Sequence, residues 1–225
     1  MAEKGRDLSA WIVACSTRVA EQLAQGLAGE TSNVRRFVAD EPAQDVEQAL
    51  KGKGQPDLVL VSMVPESQLH VLPIEKLSPG DWQFGVHQPI MAYFHILQAL
   101  GRGLRGSGAS IVVLGTTLGH VGAKGLSPLC TLLECQRSMV RSAARQWGEH
   151  GLTVNWIAVA PTAFSPELDK AEMPQGPEFG PPHRALGRAP TLAEAASAAC
   201  LLDKPAGRLL TGGTINVDGG EWLVP

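Results

Sequence analysis

Few residues in this chain are of types that do chemistry, and none stands at a spacing that completes a site alone. A hydroxyl pair, Thr116-Thr117, follows the apolar run Ser110 to Leu114, with His120 and Glu134 downstream. A hydroxyl without a base is only a hydrogen-bonding group. His120 or Glu134 could be a base only beside a neighbour that shifts its pKa, and the sequence sets none visibly next to either. Cys15, Cys130, Cys135 and Cys200 form no CxxC pair and have no histidine at ligand spacing, so buried free thiols are expected. His87 and His95 could share a helix face two turns apart, but no third ligand joins them and no metal site is expected. Arg18 stands at a helix start, where it could catch an anion. The helix dipole disfavours a cation there and no glycine follows before Gly26, so a solvated arginine is expected. Asp40 fits a cap or turn residue ahead of a helix near Ala43 better than a ribose-binding acid.

The elements that must position these residues follow from hydrophobic patterning. Apolar runs of strand length alternate with segments of helical period, the mark of βα units around a parallel sheet. Strands are predicted at Trp11 to Cys15, Val34 to Ala39, Asp57 to Met63, Ser110 to Leu114, Leu152 to Val159 and Thr214 to Val217. Helices are predicted at Val19 to Leu27, Ala43 to Leu50, Trp82 to Leu104 and Leu129 to Glu149. A further helix follows Thr191, which with Glu194 makes a capping pair. A Pro/Gly-rich loop runs from Pro161 to Pro190, and the glycine pairs at 212–213 and 219–220 are turn residues. Six strands with helices on both faces make a doubly wound α/β layout, whose ligands sit beyond the carboxyl ends of the strands.

With 225 residues and 44% apolar content, the chain supports one domain spanning 1–225. A formal charge of -3 gives no basic footprint for nucleic acid. No stretch approaches the ~18 apolar residues of a membrane span. The N-terminus MAEKGRD enters an apolar run too short for a signal-peptide core, which points to the cytoplasm.

Three longer stretches carry a family resemblance. HGLTVNWIAVAPTAF, with Asn155 and Pro161, is similar to the "gi.vN.iaPG" strand and loop of the short-chain dehydrogenase/reductase family. RALGRAPTLAEAASAACLLDKPAGRLLTGGTINVDGG resembles that family's closing helix and "itG..i.vDGG" strand, and SIVVLGTTLGHVG resembles the strand and loop that present its catalytic serine. Together they cover roughly 82–225 and imply a Rossmann-like fold.

The resemblance also implies a chemistry, and here the chain departs from it. The family uses a Tyr as general acid/base, a Lys four residues on to lower its pKa, and a Ser thirteen residues before the Tyr. Counted from Thr116 in the Ser slot, the Tyr slot holds Leu129 and the Lys slot Leu133. The sole tyrosine, Tyr93, precedes the serine slot and has Leu97 four residues on, so no register restores the pair. The family's long-helix Asn is missing too. The TGxxxGxG phosphate cradle is replaced by Ser16, Thr17 and Arg18 running directly into a helix, and the strand-end NNAG by Leu60-Val61-Ser62-Met63 or a near neighbour. RFVADEPAQDVEQAL resembles the family's third strand and helix, so one βα unit, the one carrying ribose selectivity, is absent.

The expectation is therefore a chain with no catalytic, cofactor-binding or metal residues of its own. It would be a silent subunit of a heteromeric NAD-dependent hydroxyacyl-CoA dehydrogenase, with NAD held by a catalytically complete partner of the same family in a heterotetramer. The family's assembly surfaces, its two long helices and its last helix and strand, are kept. The alternatives are a stand-alone ligand-binding or regulatory protein using the cleft near Thr116, Phe164 and the 161–190 loop, or an enzyme with His120 or Glu134 as base.

Overall fold

Parallel strands covered on both faces consist almost wholly of apolar residues. In the computed structural model, which describes residues 8–39, 42–52, 54–166, 168 and 184–223, the most apolar runs lie at the sheet centre. Strands β3 (Leu58–Ser62), β4 (Ser110–Thr116) and β5 (Thr153–Val159) are buried at every residue. With β1 (Ser9–Ala14), β2 (Asn33–Val38) and β6 (Thr214–Val217) they form one parallel sheet in the order β2-β1-β3-β4-β5-β6. All six strands fall where patterning puts them, within a residue or two at each end. Only one βα unit separates β1 from β3, and β2 lies directly beside β1 with Ser9 opposite Asn33. Strand order reverses between β1 and β3, which opens a crevice past their carboxyl ends.

On one face, α1 (Thr17–Leu27) packs against α7 (Leu192–Ala199); on the other, α2 (Ala43–Lys51) packs on α4 (Gln88–Gly103), and α4 on α6 (Ser127–Trp147). The α1–α7 approach is close enough to need a glycine. A Cβ on Gly26 would lie 1.9 Å from the Ala193 carbonyl oxygen, and the Ser197 hydroxyl donates to the Gly26 carbonyl at 2.6 Å. None of the described helices is long and apolar enough to cross a membrane.

The predicted helix from Trp82 to Leu104 is not continuous. Pro79–Trp82 forms α3, Gln83–His87 is a π-turn, and α4 begins at Gln88. Pro89 lacks an N–H, and its ring would crowd the Gly85 carbonyl four residues back, so the helix widens there. His87 therefore lies in the π-turn, outside the regular helix that carries His95. Phe94 of α4, predicted apolar, is partly exposed rather than in the core. Asp40 and residues 167 and 169–183 of the Pro/Gly-rich loop lie outside the described residues.

The capping pair forms as the spacing predicts. Thr191 Oγ1 accepts from the Glu194 N–H, and the Glu194 carboxylate accepts from the Thr191 N–H. Arg188 completes the cluster at 2.5 and 2.8 Å. The Arg188 guanidinium and then the Thr191 N–H hold the Glu194 carboxyl at about 2. A carboxyl with a depressed folded-state pKa stabilises above its unfolded value and loses that contribution as pH falls through the folded value. We expect Glu194→Gln to be less stable than the parent at neutral pH, with the difference vanishing between about pH 4.5 and pH 2 in urea titrations taken at each pH.

Candidate functional site

At the carboxyl end of β4, Thr116 is buried and its hydroxyl accepts from the Leu118 N–H at 2.9 Å, in the turn that leads into the short helix α5 (Leu118–Val121). Leu129 and Leu133, on successive turns of α6, are both buried. Leu133 and Trp156 close onto the β4 backbone. A Cβ on Gly115 would lie 2.2 Å from the Trp156 ring and 2.9 Å from Leu133 Cδ2. Tyr93 is wholly enclosed on α4, where it donates to the Gln136 carbonyl at 3.5 Å. Burial pushes its phenol well above the ordinary range, so it is neutral and structural. Gln136, also buried, donates from its side chain to the Met63 carbonyl at 2.8 Å and so ties α6 to the end of β3.

Neighbours invisible in the sequence surround His120. Its ring Nε2 is enclosed without a hydrogen-bond partner. Burial and then the Arg137 guanidinium lower its pKa, against the opposing pull of Glu134 and Asp218. Glu134 is committed to Arg137, whose Nε lies 3.0 Å from both carboxylate oxygens. Asp218 accepts the Gly220 and Trp222 N–H groups at 2.9 Å and shapes the turn at Gly219 and Gly220, both with positive φ. Of the four cysteines only Cys200 is buried; Cys15, Cys130 and Cys135 are half-buried, short of the expected full burial. Among the described residues, no group of histidines, cysteines and acids could hold a metal ion.

The crevice at the strand-order reversal holds a cavity of about 490 Å³, lined by Cys15, Ser16, Met63, Glu66, Phe84 and Ala92 among others. Arg18 at its edge is exposed, as a solvated arginine at a helix start is expected to be, and its guanidinium is paired as well. Its Nε pairs with Glu66 Oε1 at 3.1 Å and its Nη2 donates to the Phe164 carbonyl at 2.6 Å. Ser16 Oγ donates to the same Glu66 oxygen at 2.8 Å. Glu66 carries no sequence signal for this role, because its partners lie 48 and 50 residues away. Phe164 reaches this network through its backbone, while Thr116 lines neither it nor the cavity's named wall.

Against known proteins, residues 3–221 match the family described as enoyl-(acyl carrier protein) reductase. An uncharacterized oxidoreductase of Mycobacterium tuberculosis is 33% identical over 124 residues, 54% of this chain and 44% of the relative. Gluconate 5-dehydrogenase of Gluconobacter oxydans is 28% identical over 153 residues, 66% of this chain and 58% of the relative. The matched stretches thus span about half the length of these curated relatives. The crystal structure of sorbitol-6-phosphate 2-dehydrogenase from Erwinia amylovora superposes with a TM-score of 0.72 at 16% identity, covering 95% of this chain and 100% of that one. That likeness shows the fold alone.

Proposed function

The chain belongs to the enoyl-(acyl carrier protein) reductase group of the short-chain dehydrogenase/reductase family of oxidoreductases, and from that premise we propose that it is a catalytically silent subunit of a heteromeric, NAD-dependent hydroxyacyl-CoA dehydrogenase. The observation that carries this reading is the packing of Leu129 and Leu133, which fill the acid/base and lysine slots with buried hydrocarbon. Proton transfer at neutral pH needs a titratable group in contact with substrate. Two leucines supply none.

The NAD implied by the family fits poorly here. No glycine lies between Cys15 and Gly26 to admit a pyrophosphate, and a carboxylate stands beside the first turn of α1. The cofactor is assigned to a catalytically complete partner, and no chemical step is assigned to this chain. Surfaces for such a partner are available. Met91 and Phe94 on α4 are partly exposed beside a groove between α4 and α6, and Leu201, Leu209 and Leu210 are exposed between α7 and β6. Exposed apolar clusters of this kind mark association surfaces, and closed symmetric assembly accommodates a silent copy without changing the interface. Among heteromeric members, the pattern of losses resembles the silent subunit of the 2-(hydroxy(phenyl)methyl)succinyl-CoA dehydrogenase of anaerobic toluene degradation. The partner would then oxidise a β-hydroxyacyl-CoA to the ketone in the cytoplasm.

The cavity of about 490 Å³ favours a second reading, a stand-alone ligand-binding protein. Native mass spectrometry of the untagged chain, co-expressed with the products of its neighbouring genes and titrated with NAD, separates the two. We expect a mixed assembly, with about one NAD for every two chains. A homo-oligomer binding NAD at every chain would overturn the silent-subunit reading.

A further inference from the structure

The first turn of a helix leaves backbone N–H groups unpaired at the positive end of the helix dipole. Set at the strand-order reversal of a parallel sheet, such a turn is a seat for an anion. The first turn of α1 occupies that place, and Ser16 and Arg18 add a hydroxyl and a guanidinium to it. In this chain the Ser16 side chain does not cap the helix, because its hydroxyl is turned onto Glu66. Glu66 arrives from the turn after β3, and Arg18 reaches on to the Phe164 carbonyl after β5. One network thus spans the ends of three strands. The Ser16 hydroxyl and then the Arg18 guanidinium hold the Glu66 carboxyl below its usual range, so it is ionised at neutral pH.

We propose that Glu66 is a built-in anion: its carboxylate takes the seat that a ligand phosphate would take, and makes the cleft refuse phosphorylated nucleotides. The misfit between this chain and the family's dinucleotide is then an active exclusion, in addition to the missing glycines. Like charge at short range disfavours an incoming phosphate, and the guanidinium that would attract one is already engaged. Met63, Phe84 and Ala92 give the same cavity an apolar wall. The inference deepens the silent-subunit reading but needs no partner protein.

The test uses the full chain and inorganic pyrophosphate, with thermal unfolding and isothermal titration as readouts. Pyrophosphate should leave the wild-type midpoint in place. It should raise the midpoint of Glu66→Ala by roughly 3 °C at about ten times its dissociation constant. Glu66→Gln, which keeps the shape and removes the charge, should gain in the same direction and serves if the alanine variant folds poorly. Arg18→Ala added to Glu66→Ala should abolish the gain. Wild type stabilised as much as Glu66→Ala overturns the proposal, and so does a folded Glu66→Ala or Glu66→Gln that pyrophosphate does not stabilise. The mixed assembly is read separately by native mass spectrometry, so either idea can fail without the other.

Discussion

The double variant Leu129→Tyr/Leu133→Lys, which restores the family's acid/base pair in sequence, will oxidise no NADH and will be less stable than the parent by several kcal/mol. Leu133 is fully buried, wedged with Trp156 against the backbone of β4 at Gly115. A lysine ammonium there loses its hydration with no carboxylate supplied, an effective penalty on the order of several kcal/mol. Tyrosine at Leu129 adds volume to a filled core, at about 1–3 kcal/mol. Neither change touches the Arg18–Glu66–Ser16 network. Leu133→Met, nearly equal in volume, is the control and should cost less than about 1.5 kcal/mol. Urea midpoints read the stability, and the absorbance of the reduced nicotinamide reads the chemistry. A double variant that holds the parent's midpoint and consumes NADH would mean that the slots still open onto a working cleft.

Gly26→Ala should be the most damaging single-methyl addition on the α1 face. Two effects oppose each other. In an open helix alanine is favoured over glycine by about 1 kcal/mol. Here the new carbon would stand 1.9 Å from the Ala193 carbonyl oxygen, and that atom is helical backbone, which cannot rotate aside. The helices must separate, which weakens the Ser197 hydroxyl's bond to the Gly26 carbonyl and the apolar contact of Leu23 and Leu27 with the rest of the core. Overpacking of this kind costs about 1–3 kcal/mol, occasionally more. The net change should be destabilising by about 1–2 kcal/mol, or roughly 3–6 °C in midpoint for a chain of this size. Gly29→Ala, in the turn after α1, adds a carbon that meets nothing within 4 Å and is the clash-free control; it should leave the midpoint within about a degree of the parent.

What the sequence made legible were features set by local pattern. The six strands lie in their predicted places because continuous Val, Ile and Leu runs have no stable setting except a sheet covered on both faces. The Thr191–Glu194 box formed because both partners sit within one turn. The slot occupants Thr116, Leu129 and Leu133 were found by counting along one strand and one helix. The π-turn at Gln83–His87 escaped because helical periodicity carries across it, although Pro89 marked the place. Glu66 escaped for a deeper reason: an acid after a strand usually faces water, and its pairing with Ser16 and Arg18 exists only once β1 and β3 lie side by side. The surroundings of His120 were hidden in the same way, since Asp218 approaches from the far end of the chain.

The position of β2 bears on how copies of this chain can meet. With one βα unit before β3, β2 pairs with β1 alone and forms a border of the sheet. A border strand offers a row of N–H and C=O groups on which another strand can dock, the usual start of open-ended aggregation. Here it carries Arg35 and Arg36, and Arg35 lies 4.9 Å from the Phe37 ring centroid and 5.8 Å from that of Trp11, across the β1–β2 pair. Two copies meeting border to border would bring arginine against arginine. The same charges that shield the trimmed border therefore oppose growth by strand addition, and leave the helical and β6 faces as the surfaces on which a finite assembly can close.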